Sequence, residues 1–329
     1  MHERELASAK LLDRRLANHF PAHRFLGHSR DDWRRWRQDL LAALRLVFGP
    51  LPEPGPAPGW EITETLELPA YTRHRIVYEA RLGIPVPAYL LVPRQREDTS
   101  GAAALCVHGH VPGGKQSVVE PSESFGQPYG ALLAERGLVT LCPDNAGMGE
   151  RGDGGGCELL WRRLNYLGQD VTGYRVFDLV RGMDLLVSLP EVDPKRVGSI
   201  GLSGGCWLAM VHAAFDERVR ATVLSGYFTT FAQTSWRGHC ICHHPKGIGG
   251  ICEMPDIAGL IAPRRVCVEW GTDDTTRPVH PAFSMAQAIY RAAGAEEALE
   301  LAVFNGGHRF DGTESLPWLL RRLSRETDG

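Results

Sequence analysis

The sequence predicts an α/β protein with a doubly wound, mostly parallel sheet of eight strands, on three observations. From residue 102 onward, short apolar β-branched runs alternate with helical patterns, as βαβ units require. Between residues 197 and 210 one such run enters Gly201-Leu202-Ser203-Gly204-Gly205 and a small-residue helical pattern leaves it, so strand passes to helix through a sharp turn. Two later runs end in loops that carry Asp273-Asp274 and His308. A chain of 329 residues, 43% hydrophobic, can bury the core that such a sheet needs.

Residues 1–50 read as a helical arm. Ser29 offers a cap with Asp31 and Asp32 in the first turn, and Trp33, Trp36, Leu40, Leu44 and Val47 recur at helical spacing until Gly49-Pro50 stops the run. Residues 51–59, rich in proline, form a stiff linker. Runs at 75–80 and 86–93 flank Gly83-Ile84-Pro85 as an antiparallel hairpin at the sheet edge, where proline is tolerated. Strands are then expected at 102–107, 138–142, 197–202, 219–224, 265–270 and 299–304, with helices at 129–136, 174–189, after Ser203, at 281–293 and at 315–323. Residues 60–329 therefore make one larger α/β domain, and the segment at about 229–263 is the natural place for a short cap. The arm is expected to pack on this body; if it does not, Trp33 and Trp36 are candidate contacts for a homodimer.

Composition narrows the function. The net charge is −3 and no Lys/Arg cluster offsets it, which argues against nucleic acid as a partner. No apolar run approaches the roughly 20 residues of a membrane span, so no membrane partner is expected. The N-terminus (Met1-His2-Glu3-Arg4-Glu5) is charged and lacks an apolar signal core, which makes a cytoplasmic location the expectation. The cysteines are scattered, and Cys106, Cys142 and Cys267 fall in expected strands, where a reduced thiol is a small hydrophobe rather than part of a disulfide framework.

The constellation that carries chemistry centres on Ser203. A serine hydroxyl is a weak nucleophile until a base takes its proton, and the base works best when a carboxylate orients it. Gly-x-Ser-x-Gly between strand and helix is a nucleophile elbow, and the α/β-hydrolase order of serine, acid and histidine continues downstream. His308 supplies the base. Gly271-x-x-Asp274 with Pro278 four residues on favours Asp274 as the acid and leaves Asp273 as its neighbour. The oxyanion of a tetrahedral intermediate needs aimed N–H donors. One is expected from Gly204 at the helix N-terminus, the other from the His110 backbone in the loop 108–115. His108 reads as a buried loop anchor and Lys115 as exposed. Glu150 and Arg151, after the strand at 138–142, read as a pair in the pocket wall, with the glycine run 152–156 beside them.

His239-Cys240-Ile241-Cys242-His243-His244 invites a metal reading. Against it, structural sites draw on two separated pairs, and adjacent residues cannot all point at one ion. The sequence favours a structured cap loop with packed thiols, with no metal and no cofactor.

These motifs together resemble the α/β-hydrolase superfamily, and within it the bacterial dienelactone hydrolase and acetyl xylan esterase-like enzymes. The likeness covers roughly residues 60–320 and rests on the His-Gly-His loop at His108, Gly-x-Gly-Glu-Arg ending at Arg151 and Gly-x-Ser-Gly-Gly-x-Trp ending at Trp207. His-Cys-x-Cys at His239, Glu-Met-Pro-Asp at Glu253 and Gly-Gly-His-Arg ending at Arg309 complete it. The resemblance implies Ser203 as nucleophile, Asp274 as acid, His308 as base, no metal, and a small-molecule carboxylic ester as substrate. An amide, a lactone, a carbon–carbon bond or acyl transfer uses the same triad and stays open, as does an idle fold used for binding. After Cys242 the sequence departs from the branch's asparagine- and tyrosine-rich run.

Overall fold

The computed structural model describes residues 8–95, 99, 101–121, 125–152, 154–234, 239–274 and 278–324. The parts of the expected arm, glycine run, cap and acid loop at 1–7, 153, 235–238 and 275–277 lie outside the described residues. Nine strands form one sheet: β1 (Trp60–Glu67), β2 (Tyr71–Arg81), β3 (Ile84–Pro93), β4 (Ala103–Val107), β5 (Val139–Pro143), β6 (Val197–Leu202), β7 (Val219–Ser225), β8 (Arg265–Gly271) and β9 (Leu299–Phe304). Their order across the sheet is β1-β2-β3-β5-β4-β6-β7-β8-β9. β1 to β3 run antiparallel, β3 meets β5 antiparallel, and every pairing from β5 to β9 is parallel.

The expected count of eight strands is corrected to nine, and the addition is β1. Its apolar residues Trp60, Ile62 and Leu66 alternate with polar ones, but all eight of its residues are exposed, so no buried stripe marks it. The parallel strands lie inside the sheet and are buried throughout, as in β4, β5 and β6, so they read as continuous apolar runs.

Ten helices are assigned among the described residues: α1 (Ser8–Ala17), α2 (Arg30–Phe48), α3 (Tyr129–Glu135), α4 (Gly156–Tyr166), α5 (Val171–Ser188), α6 (Gly204–Phe215), α7 (Phe231–Thr234), α8 (Met254–Gly259), α9 (His280–Ala293) and α10 (Ser315–Leu323). One face of the sheet packs against α2, α5, α6, α8 and α9, and the other against α3 and α10. No helix among the described residues is long and apolar enough to cross a membrane.

The second helix of the arm, α2, is part of the core, whereas the described side chains of α1 are exposed. A capping box between Ser29 and Asp32 starts α2. Leu40 and Leu44 are fully buried, and Phe48 packs edge-on against Trp207 with ring centroids 6.3 Å apart. Trp33 donates to the Gly259 carbonyl and Trp36 to that of His23, so both indoles are used within the chain. The expected cap divides in two. Met254, Ile257, Leu260 and Ile261 are fully buried in the main core, because α8 packs on α6 and α9. Before α8, Cys242 and His243 lie against His110 in the loop after β4.

Candidate active site

The turn from β6 to α6 holds Ser203 at φ 58° and ψ −120°, and it is the one non-glycine residue at positive φ among those described. Such a conformation costs on the order of 1–3 kcal/mol and survives only when its surroundings enforce it. Here Ser203 N–H donates to the Ser225 carbonyl at 2.9 Å. A Cβ on Gly201 would lie 2.2 Å from the Gly205 carbonyl oxygen, and one on Gly205 would lie 2.0 Å from that of Val107. Both glycines are therefore dictated by the close passage of strand and helix.

Beyond β8, Asp274 is buried and its Oδ2 lies 2.8 Å from His308 Nδ1. Asp273 is exposed and its N–H donates to the Gly306 carbonyl, which joins the two loops through the backbone. Of the two aspartates, the structure brings Asp274 to His308. The imidazole lies over Gly226, where an added Cβ would be 3.0 Å from its Cε1. Gly226 follows Ser225, the residue that holds Ser203, so Ser203, His308 and Asp274 meet at one end of the sheet.

Glu269 was not singled out from the sequence, and it underpins this end. Its buried carboxylate accepts from the Ser225 and Ser315 hydroxyls and from the Asp311 and Gly312 N–H groups. Burial pushes its pKa up although these bonds oppose the rise. The only signal in the sequence is a carboxylate inside the apolar run of β8.

The loop after β4 is fixed from below. His108 is fully buried; its Nε2 accepts from Asn145 N–H at 2.9 Å, and Asn145 Nδ2 donates to its carbonyl. Burial pushes its pKa down to about 4 against the pull of Asp144, which keeps the ring neutral as an acceptor needs. Lys115, expected to be exposed, is buried instead. Its Nζ donates to Asp144 at 2.6 Å and pairs with Glu150. The expected Glu150–Arg151 pair is corrected too: Glu150 binds Arg75 and Lys115, and Arg151 binds Asp178 at 2.8 Å. Those partners lie on other elements, so local sequence could not reveal them.

Gly109 and His110 bring this loop to the elbow. A Cβ on Gly109 would lie 3.2 Å from that of Ser203, and one on Gly204 would lie 2.4 Å from His110 Nδ1. The other side of the His110 ring faces sulfur, with Nε2 2.9 Å from Cys242 Sγ. Cys240 Sγ lies 3.3 Å from Cys242 Sγ, and the ligand atoms of His110, Cys157, Cys240 and Cys242 all lie within 4.8 Å of one another. The sequence reading set a metal aside because neighbours in 239–244 cannot converge; the fold takes only two residues from that run and adds two from elsewhere. His243 stays outside the set, edge-on to His110 at 4.6 Å. An open groove of about 370 Å³ is lined by His110, Val111, Met148 and Cys157.

Four similarities to known proteins accompany this geometry. The acetyl xylan esterase (AXE1) family model matches residues 167–234, which span α5, β6, the elbow and α6. A Bacteroides fragilis protein solved as a "putative acetyl xylan esterase" superposes with a TM-score of 0.77 at 16% identity, over 99% of this chain and 91% of that one. The chain has the α/β-hydrolase fold. A glucuronoyl esterase from Solibacter usitatus matches this chain with a TM-score of 0.66 at 15% identity, over 92% of this chain and 97% of its own. In sequence, the Bacillus subtilis protein named "Putative hydrolase YtaP" is 24% identical over 233 residues, 68% of this chain and 77% of that protein.

Proposed function

We propose that this α/β-hydrolase cleaves a carboxylic ester through an acyl-enzyme on Ser203. The observation that carries the reading is the Asp274–His308 hydrogen bond, set over an elbow that holds Ser203 in a strained conformation. His308 takes the Ser203 proton as the hydroxyl attacks the ester carbonyl, and Asp274 holds the imidazole by Nδ1–H and stabilises its charged form. The N–H groups of Gly204 and His110 hold the oxyanion, and the Gly204 donor gains from the N-terminal end of the α6 dipole. His308 then returns its proton to the leaving alcohol and activates the water that frees the acid. The relatives that carry acetyl xylan and glucuronoyl esterase names support a small acyl or sugar ester as substrate class.

A fluorophosphonate probe tests the reading. It is expected to label the native chain and fail on Ser203→Ala; retained labelling removes Ser203 from the role. A panel of short acyl esters, lactones and aminoacyl amides then separates ester hydrolysis from other uses of the same residues, and turnover of amides alone would overturn the ester assignment.

A further inference from the structure

We propose that His110 Nε2 and the thiolates of Cys157, Cys240 and Cys242 form a four-coordinate site for zinc, and that the ion ties the loop carrying His110 to α4 and to the 239–244 segment. Four ligand atoms within 4.8 Å of one another match the spacing of a tetrahedral ion, around which S and N ligands at 2.0–2.3 Å sit about 3.5–3.8 Å apart. Three thiolates and an imidazole suit zinc rather than calcium or magnesium, which take oxygen ligands. A full set of four protein ligands leaves no open position, so the site is structural.

A second, independent observation is the buried cation beside it. Arg175 is 2% exposed, donates to the Ala146 carbonyl, and places Nη2 3.1 Å from Cys157 Sγ. Three thiolates, one dication and a neutral imidazole sum to one negative charge, which this guanidinium offsets. Loading releases the three thiol protons to solvent while His110 binds through its Nε2 lone pair.

The consequence for catalysis rests on the reading of His110 as an oxyanion donor. The His110 ring, held by the ion on one side and seated against Gly204 on the other, fixes the backbone whose N–H faces the intermediate. The ion therefore acts by positioning.

The full chain, purified under reducing conditions, is expected to hold one zinc, and Cys157→Ser and Cys242→Ser are expected to lose it while His239→Ala, outside the set, keeps it. Replacement by Co²⁺ in the unaltered chain should give tetrahedral ligand-field bands and a sulfur-to-cobalt charge-transfer band, a readout that needs no variant to fold. Removing the ion should lower kcat about tenfold with little change in KM. A reduced chain that binds neither Zn²⁺ nor Co²⁺, a disulfide among Cys157, Cys240 and Cys242, or stoichiometric iron or copper overturns the proposal. Fluorophosphonate labelling reads Ser203 without reference to metal, so the two readings can fail separately.

Discussion

Asp273 and Asp274 are adjacent in the chain and opposite in environment. Asp274 is buried against His308 Nδ1, whereas Asp273 faces solvent and contributes its N–H to the Gly306 carbonyl. Asp274→Asn replaces the acceptor-only carboxylate that sets the imidazole tautomer with a neutral amide that can also donate, and kcat is expected to fall about 10³–10⁴-fold. Asp273→Asn leaves that hydrogen bond intact and should change kcat only a few-fold. Steady-state kinetics on one ester decides it, and a larger loss at Asp273 would reverse the assignment. Ser203 and His308 were legible because each sits in a local motif whose glycines report a tight backbone. The sulfur cluster was not, because Cys157 is a single cysteine after a glycine run, and its partners lie 47 residues before it and 83 and 85 residues after it (157 − 110, 240 − 157 and 242 − 157). Glu269 was hidden for a similar reason: its four partners lie on β7, on the segment between β9 and α10, and at the first residue of α10.

The segment from β5 to α4 behaves as an element held by charge. Glu150 is held down to about 2 by the Arg75 guanidinium and, against some burial, by the Lys115 ammonium. A carboxylate whose folded pKa is depressed contributes stability above its unfolded value, and that contribution drains away as pH falls toward the folded value. Its side chain is 39% exposed, so screening limits the gain to about 1 kcal/mol. Glu150→Gln is therefore expected to lower the urea midpoint at about pH 7, and the gap to the unaltered chain should narrow at about pH 3. A gap that widens in acid would refute the assignment. Lys115, fully committed to Asp144 and Glu150, shows why this segment was misread from sequence. A lone lysine in a glycine-rich loop reads as solvated until the acidic residues from another loop are placed around it. The strands of the parallel region were legible for the converse reason, since burial on both faces writes their identity into every residue.

At the scale of the molecule, α2 of the N-terminal arm shares one core with the end of the sheet that carries Ser203. The sequence showed the stripe on α2 and its cap, but not what the stripe covers, because periodicity gives a face without naming its partner. Leu40 and Leu44 fill the layer above α5 and α9, and Phe48 reaches the ring of Trp207 on the helix that begins at the elbow. The contact is close enough that a Cβ on Gly173 of α5 would lie 1.7 Å from the Phe48 carbonyl oxygen. Leu44→Ala should thus cost about 2–5 kcal/mol, as for a buried leucine in any core. The cost should appear in a single cooperative unfolding transition that also ends fluorophosphonate labelling. Were the arm a separate unit, the same substitution would melt α2 early and leave labelling of Ser203 intact up to the transition of the body. Thermal unfolding followed by far-ultraviolet circular dichroism, with labelling sampled along the ramp, distinguishes the two. Coincident curves are expected, because the stripe on α2 is buried against α5, α6, α8 and α9.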